Sequence, residues 1–194
     1  MEKKIILASK SPRRKQLLEQ IGLEFEICES SYEEDMSAMA DPFELVKFLA
    51  LKKAEAVATK YEDAIIIAAD TFVVFEGKFL GKPKNEEVAK EMLRLLSGQE
   101  NIVVTGLAVI DTRSGKVFND FDQAKVKMID LSDEEIDKYI ATGQPLDKAG
   151  AYGVQGLGAL IIERTEGDYN NILGLPLHKL YLVLKELGVD IFKQ

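Results

Sequence analysis

The 194-residue chain is poor in the groups that most often do chemistry: it has one cysteine, one histidine and no tryptophan. A lone thiol, Cys28, cannot close an internal disulfide, so a reducing compartment, the cytoplasm, is expected. A lone imidazole, His178, lies near the C-terminal end without a supporting motif, which excludes Ser-His-Asp and Cys-His machinery. Neither CxxC nor HExxH spacing occurs, so no zinc signature is present. No run approaches the roughly 18 apolar residues of a membrane span, and the N-terminus lacks a signal peptide's apolar segment. Positive charge is also short. Against 33 Asp and Glu stand 25 Lys and Arg, for a net charge of −8, which argues against nucleic acid or an anionic membrane as the main partner. Acid–base work is left to carboxylates, lysines or a metal-bound water. Exposed apolar residues look scattered, giving no interface signal and leaving a homodimer open.

What remains is ordinary globular material, 46% hydrophobic and 30% charged, enough for one domain over residues 1–194. Helical and strand patterns alternate, which predicts an α/β fold with a partly antiparallel sheet. Strands are expected at 5–8, 64–75, 102–111 and 124–129. Helices are expected at about 12–21, 42–60, 85–97 and 132–143, with a last one from about Pro176. Their caps read as Ser11 with Pro12, as Asp41 with Glu44 in a box-like arrangement, and as Ser132 with Glu135.

Five features disturb this pattern. In ASKSPRRKQLL, Arg13 and Arg14 fall in the first turn of a helix, where the macrodipole makes a cation cost about 0.3–1 kcal/mol. An anion there would reverse the cost. Backbone N–H groups, the dipole, two guanidiniums and the hydroxyls of Ser9 and Ser11 would converge on a phosphate. Lys53 projects onto the centre of an apolar stripe formed by Leu45, Val46, Leu49, Ala50, Ala54 and Val57; it must snorkel or meet an anion. Asp70 interrupts AIIIAADTFVVF, where a carboxylate is costly unless paired or bound to a cation. Finally, FLGKPK fixes the backbone around Lys82, and the glycine-rich segment 147–158 carries Asp147, Lys148 and Gln155. This last segment matches neither GxxxxGK[ST] nor GxGxxG. It suits close backbone approach to a ligand, with Gln155 able to donate and accept at a base edge. Several cations beside a few carboxylates, including Glu34 in SSYEEDM, are what a polyphosphate with a divalent cation requires.

In LASKSPRRKQLL, the lysine of LALKKAEAV, AADTFVV, LGKP, MLRLLSG followed by VVTG, PLDKAGAYGVQG and GDYNNILGLPL, the chain resembles the Maf family of nucleoside triphosphate pyrophosphatases, once described as septum-formation inhibitors. The match runs in family order from residue 7 to residue 177. The resemblance implies hydrolysis between the α and β phosphates to a monophosphate and pyrophosphate. It also implies an elongated mixed sheet flanked by helices, shared with inosine-triphosphate pyrophosphatases, with two lobes around a central cleft. By motif position, Ser9, Arg13 and Arg14 would hold phosphates, and Lys53 and Lys82 would neutralise them. Glu34 and Asp70 would work with Mg²⁺, or with Mn²⁺ or Co²⁺, Asp70 serving as base for the attacking water. Gln155 would face the nucleobase, with Thr71 and Lys148 as further substrate contacts. AGAYGVQG looks like the branch acting on dTTP and UTP, which suggests a house-cleaning role on pyrimidine nucleotides, modified ones included. A non-catalytic nucleotide-binding regulator of cell division is the rival reading, against which the retained acids speak. One departure stands out: Asn101 replaces a histidine usual in the family.

Overall fold

The computed structural model describes residues 3–192. It begins with strand β1 (Lys4–Leu7), helix α1 (Pro12–Gln20), strand β2 (Glu26–Ile27) and helix α2 (Pro42–Ala58). Strands β3 (Ala64–Phe75) and β4 (Lys78–Leu80) precede helix α3 (Glu86–Leu96). The long strands β5 (Glu100–Asp111) and β6 (Lys116–Met128) lead to helix α4 (Asp133–Ala141). Three 3-10 turns, Gln144–Asp147, Ala149–Ala151 and Gly156–Ile161, follow, then β7 (Ile162–Gly167), α5 (Tyr169–Leu173) and α6 (Leu177–Glu186).

The strands form one sheet in the order β2-β1-β3-β5-β6-β7, with β4 beside β3. β1 runs parallel to both neighbours, pairing Lys4 with Ala64 and Leu7 with Ile67 on β3. β4 and β7 run antiparallel to β3 and β6. The expected mixed α/β sheet flanked by helices is what the chain forms.

By packing, the chain divides into two compact units, and the divisions fall inside β3, β5 and β6 and directly after α5. Unit 1 comprises residues 1–70, 105–122 and 174–194. Its core sets Ala50, Ala54 and Val57 of α2 with Ile6, Ile66, Ala68, Ala108 and Ile110 of the strands. Gly106 makes this packing tight: a Cβ there would lie 2.3 Å from the Val46 carbonyl oxygen of α2. Helix and strand therefore approach backbone to backbone, which fixes where α2 carries its polar residues. Unit 2 comprises residues 71–104 and 123–173. Its core joins Leu93 and Leu96 of α3, Ile136 and Ile140 of α4, Val126 and Met128 of β6, and Tyr152.

The caps were only partly legible. Ser132 and Glu135 form a complete capping box. Asp41 accepts from the Phe43 and Glu44 amides at 2.7 and 3.4 Å, but Glu44 turns to Lys47 instead of closing the box. Ser11 occupies the N-cap of α1 without a side-chain hydrogen bond; its amide donates to Ser9 Oγ at 3.2 Å. β6 begins eight residues before the expected strand at 124, because its first half, KVFNDFDQ, is polar and owes its extension to sheet pairing. The exposed β7, IERTEG, lies at the sheet edge and carries no apolar alternation to announce it.

Candidate active site

Unit 1 gathers most of the charged candidates. Lys53 leaves the apolar face of α2 with only 12% of its side chain exposed and reaches two carboxylates. Its ammonium donates to Asp70 Oδ1 at 2.7 Å and lies 2.7 Å from Glu34 Oε1. So the lysine does not snorkel; it meets anions, and α2 delivers it to them because Gly106 lets the helix settle onto the sheet.

Asp70 lies within β3, with the strand continuing to Phe75, and is 7% exposed. One of its carboxylate oxygens is taken by Lys53. The other, Oδ2, is buried and has no hydrogen-bond partner. A buried carboxylate oxygen left unpaired is costly. Here it is a buried acceptor beside the Lys53 ammonium.

Arg14, half-buried in the first turn of α1, is held from two sides. Its Nε donates to the Gly174 carbonyl at 2.8 Å and its NH1 to Ser9 Oγ at 3.1 Å. Burial pulls the guanidinium below its ordinary pKa; the Asp70 charge works against that, Arg13 adds to it and Glu34 opposes it. The group stays cationic, and an arriving anion would remove the strain that burial imposes. Arg13 stands beside it, also half-buried. Ser9, Arg13, Arg14, Glu34, Lys53 and Asp70 are thus all on unit 1.

The remaining candidates lie on unit 2, which uses the backbone more than ion pairs to place them. Thr71 is half-buried, directly after Asp70 on β3, while Lys82 and Gln155 are exposed. The Gly150 amide donates to the Gly81 carbonyl at 3.0 Å, so the turn bearing Lys82 is tied to the glycine-rich segment. Gly150 has φ +67°, and a Cβ there would lie 2.8 Å from Val73 Cγ2, so no other residue fits without strain. Lys148 is engaged within its own loop. Its ammonium donates to the Gln144 carbonyl and to Asp147 Oδ1, each at 2.5 Å, and its stem covers Gly153.

Three contributors escaped the reading of the sequence: the Gly174 carbonyl that orients Arg14, Gly106 under α2, and the Tyr139 hydroxyl that receives the Gly153 amide at 3.3 Å. The glycines in VVTG and ILGLP were the available signal. Asn101 is 1% exposed and accepts a hydrogen bond from the Tyr152 hydroxyl at 2.6 Å, an engagement inside unit 2.

The family model for Maf-like proteins matches residues 4–187. The chain belongs to the Maf family. Within it, a Dictyoglomus turgidum protein named dTTP/UTP pyrophosphatase is 50% identical over 192 residues, covering 98% of this chain and 100% of its own. A Bacillus cereus protein of the same name is 48% identical over 189 residues, covering 97% of this chain and 92% of its own. Among solved structures, the Staphylococcus aureus Ham1 protein is similar over 82% of this chain and 80% of its own, with a TM-score of 0.49 at 16% identity. No described helix of this Maf protein is long and apolar enough to cross a membrane.

Proposed function

We infer that this Maf protein is a nucleoside triphosphate pyrophosphatase acting on dTTP and UTP, the activity for which its full-length relatives are named. The observation that carries a mechanism is Lys53 clasped between Asp70 and Glu34, with Asp70 Oδ2 in reserve. Ser9, Arg13 and Arg14 at the start of α1 hold the phosphates. Lys53 and Lys82 offset charge as it builds on the leaving group. Asp70 Oδ2 accepts a proton from the water whose oxygen bonds to the α-phosphorus. The bond from that phosphorus to the bridging oxygen breaks, and pyrophosphate leaves with the electron pair. Gln155 reads the pyrimidine edge, with Thr71 and Lys148 as further contacts on unit 2.

The donor set fits a divalent cation. Glu34 and Asp70 are hard oxygen donors sharing one ammonium, and one of the four oxygens is buried and unpartnered. Among the described residues no group of three or more His, Cys, Asp or Glu could hold a metal by itself. That favours a cation that completes its shell with substrate phosphates and water, the habit of Mg²⁺, with Mn²⁺ or Co²⁺ as substitutes. Bound there, it would neutralise phosphate charge. The single cysteine and the net charge of −8 fit a reducing, cytoplasmic setting and a small anionic substrate.

The test is pyrophosphate release with Mg²⁺ from dTTP, UTP, CTP, ATP, GTP and 7-methyl-GTP, beside Asp70→Asn. Release from dTTP and UTP should fall by about 10²–10⁴-fold in a variant that stays folded. A variant keeping a tenth of wild-type kcat would remove Asp70 as base. Tight nucleotide binding by the wild type with no release would instead favour the non-catalytic regulator.

A further inference from the structure

The residues just before Gln155 are held by tyrosine hydroxyls. Tyr152 donates to Asn101 Oδ1 at 2.6 Å, the Gly153 amide donates to the Tyr139 hydroxyl at 3.3 Å, and Tyr169 donates to the Val154 carbonyl at 3.3 Å. Three successive residues are therefore pinned by three separate bonds. Glycines let the segment pack closely. A Cβ on Gly153 would lie 2.8 Å from the Lys148 stem, and one on Gly158 would lie 2.1 Å from the Gly153 carbonyl oxygen. Gln155 then emerges exposed from a fixed base.

The Tyr152–Asn101 pair is a poor choice for stability alone. It is buried, and Asn101 Nδ2 has no hydrogen-bond partner. A matched apolar pair of the same shape would avoid that orphan. Burial pushes the Tyr152 phenol far above its ordinary pKa, so the hydroxyl remains a donor at every working pH. A directional bond retained at a cost in the core is a device for fixing geometry.

We propose that Asn101, through the Tyr152 hydroxyl, is a positioning residue for base selection, and that Tyr169 assists by holding the Val154 carbonyl. Both act by presenting Gln155 in one orientation, so the proposal rests on Gln155 reading the base. Fixing that side chain in advance lowers the cost of ordering it on binding and sharpens the penalty for a base whose edge mismatches it. Asn101 then tunes selectivity without touching substrate.

Steady-state kinetics on dTTP, UTP and CTP test this with Tyr152→Phe, Asn101→Leu, Asn101→His and Tyr169→Phe, using Gln155→Ala as reference and thermal melting as control. Tyr152→Phe and Asn101→Leu should raise the dTTP KM about fivefold, the worth of one ordinary hydrogen bond, while kcat changes less than about twofold. The ratio of kcat/KM for dTTP over CTP should narrow. Asn101→His, whose ring nitrogen can accept the same bond, should stay near wild type. Tyr169→Phe deletes a hydroxyl from a ring that is 44% exposed, so it should fold normally, and it should shift KM and selectivity the same way by less. It decides the matter if the core variants fail to fold. Unchanged KM and selectivity in Tyr152→Phe and Tyr169→Phe, beside an altered Gln155→Ala, would overturn the positioning role alone. Changes that merely follow the loss of folded protein would overturn it too. A Gln155→Ala enzyme with wild-type selectivity would overturn base reading by Gln155, and the positioning role with it.

Discussion

The two units handle their candidate residues in opposite ways. On unit 1 the side chains hold one another: Lys53 with Asp70 and Glu34, Arg14 with Ser9 and the Gly174 carbonyl. On unit 2 Gln155 and Lys82 stand exposed, and glycines with tyrosine hydroxyls position the backbone beneath them. Charge needs a fixed, desolvated frame to act on a phosphate, since that is where it is worth most. A base-reading amide needs placement more than charge. Unit 1 is therefore expected to govern most of rate and phosphate affinity, with Lys82 of unit 2 assisting, and the rest of unit 2 discrimination.

The sharpest way to break that comparison is Lys53→Met, which removes the shared ammonium and leaves Asp70 and Glu34 facing each other. It should lower kcat for dTTP about 10²–10³-fold. Retention of a tenth of the rate would mean that the ion pairs are structural only. Next comes Arg14→Ala, expected to raise KM for every triphosphate about 10- to 100-fold, the worth of charged hydrogen bonds. An effect confined to one base would transfer Arg14 to the discriminating side. Gln155→Ala should leave kcat on dTTP within about threefold and reduce preference over CTP about tenfold, as expected when one edge contact is lost. A large kcat loss there would dissolve the division of labour.

The smallest expected effect concerns pH. Asp111 is 3% exposed at its side chain and pairs with Lys3 at 2.9 Å. Burial pushes its carboxyl up, but Lys3 and Ser114 outweigh that and hold it below the usual carboxylate range. A depressed folded pKa gives stability that is present above the ordinary carboxylate pKa and lost as pH falls through the folded value. Asp111→Asn should lower Tm at neutral pH and flatten its fall under acid. An acid-unfolding curve identical to wild type would mean that the pair contributes nothing.

Legibility followed physical cause. Lys53 and Asp70 were visible because each breaks an apolar pattern, and the structure brings them together at 2.7 Å. The early arginines were visible because a helix N-terminus opposes them. Lys82, Lys148 and Gln155 break no apolar pattern; the glycines and proline around them were the weaker signal, and the resemblance gave them their roles. The edge strand β7 and the polar half of β6 were hidden because pairing, not burial, makes them extended. Gly174 was hidden because a carbonyl's role depends on what folds next to it, over a separation of 160 residues.

β3 holds one more consequence. Its register is set against β1 up to Ile67 and against β4 from Val73, which brackets Asp70 and Thr71. Neighbouring residues on a strand face opposite ways. A slip by one position would hardly trouble AIIIAAD-FVVF as oily ballast, since both faces of the strand are buried. Yet it would exchange an acid for an alcohol at the position proposed to take the water's proton. The count of residues between Ile67 and Val73 therefore matters more than their individual apolar identities: a single-residue insertion or deletion there would put Asp70 out of frame with its partner Lys53.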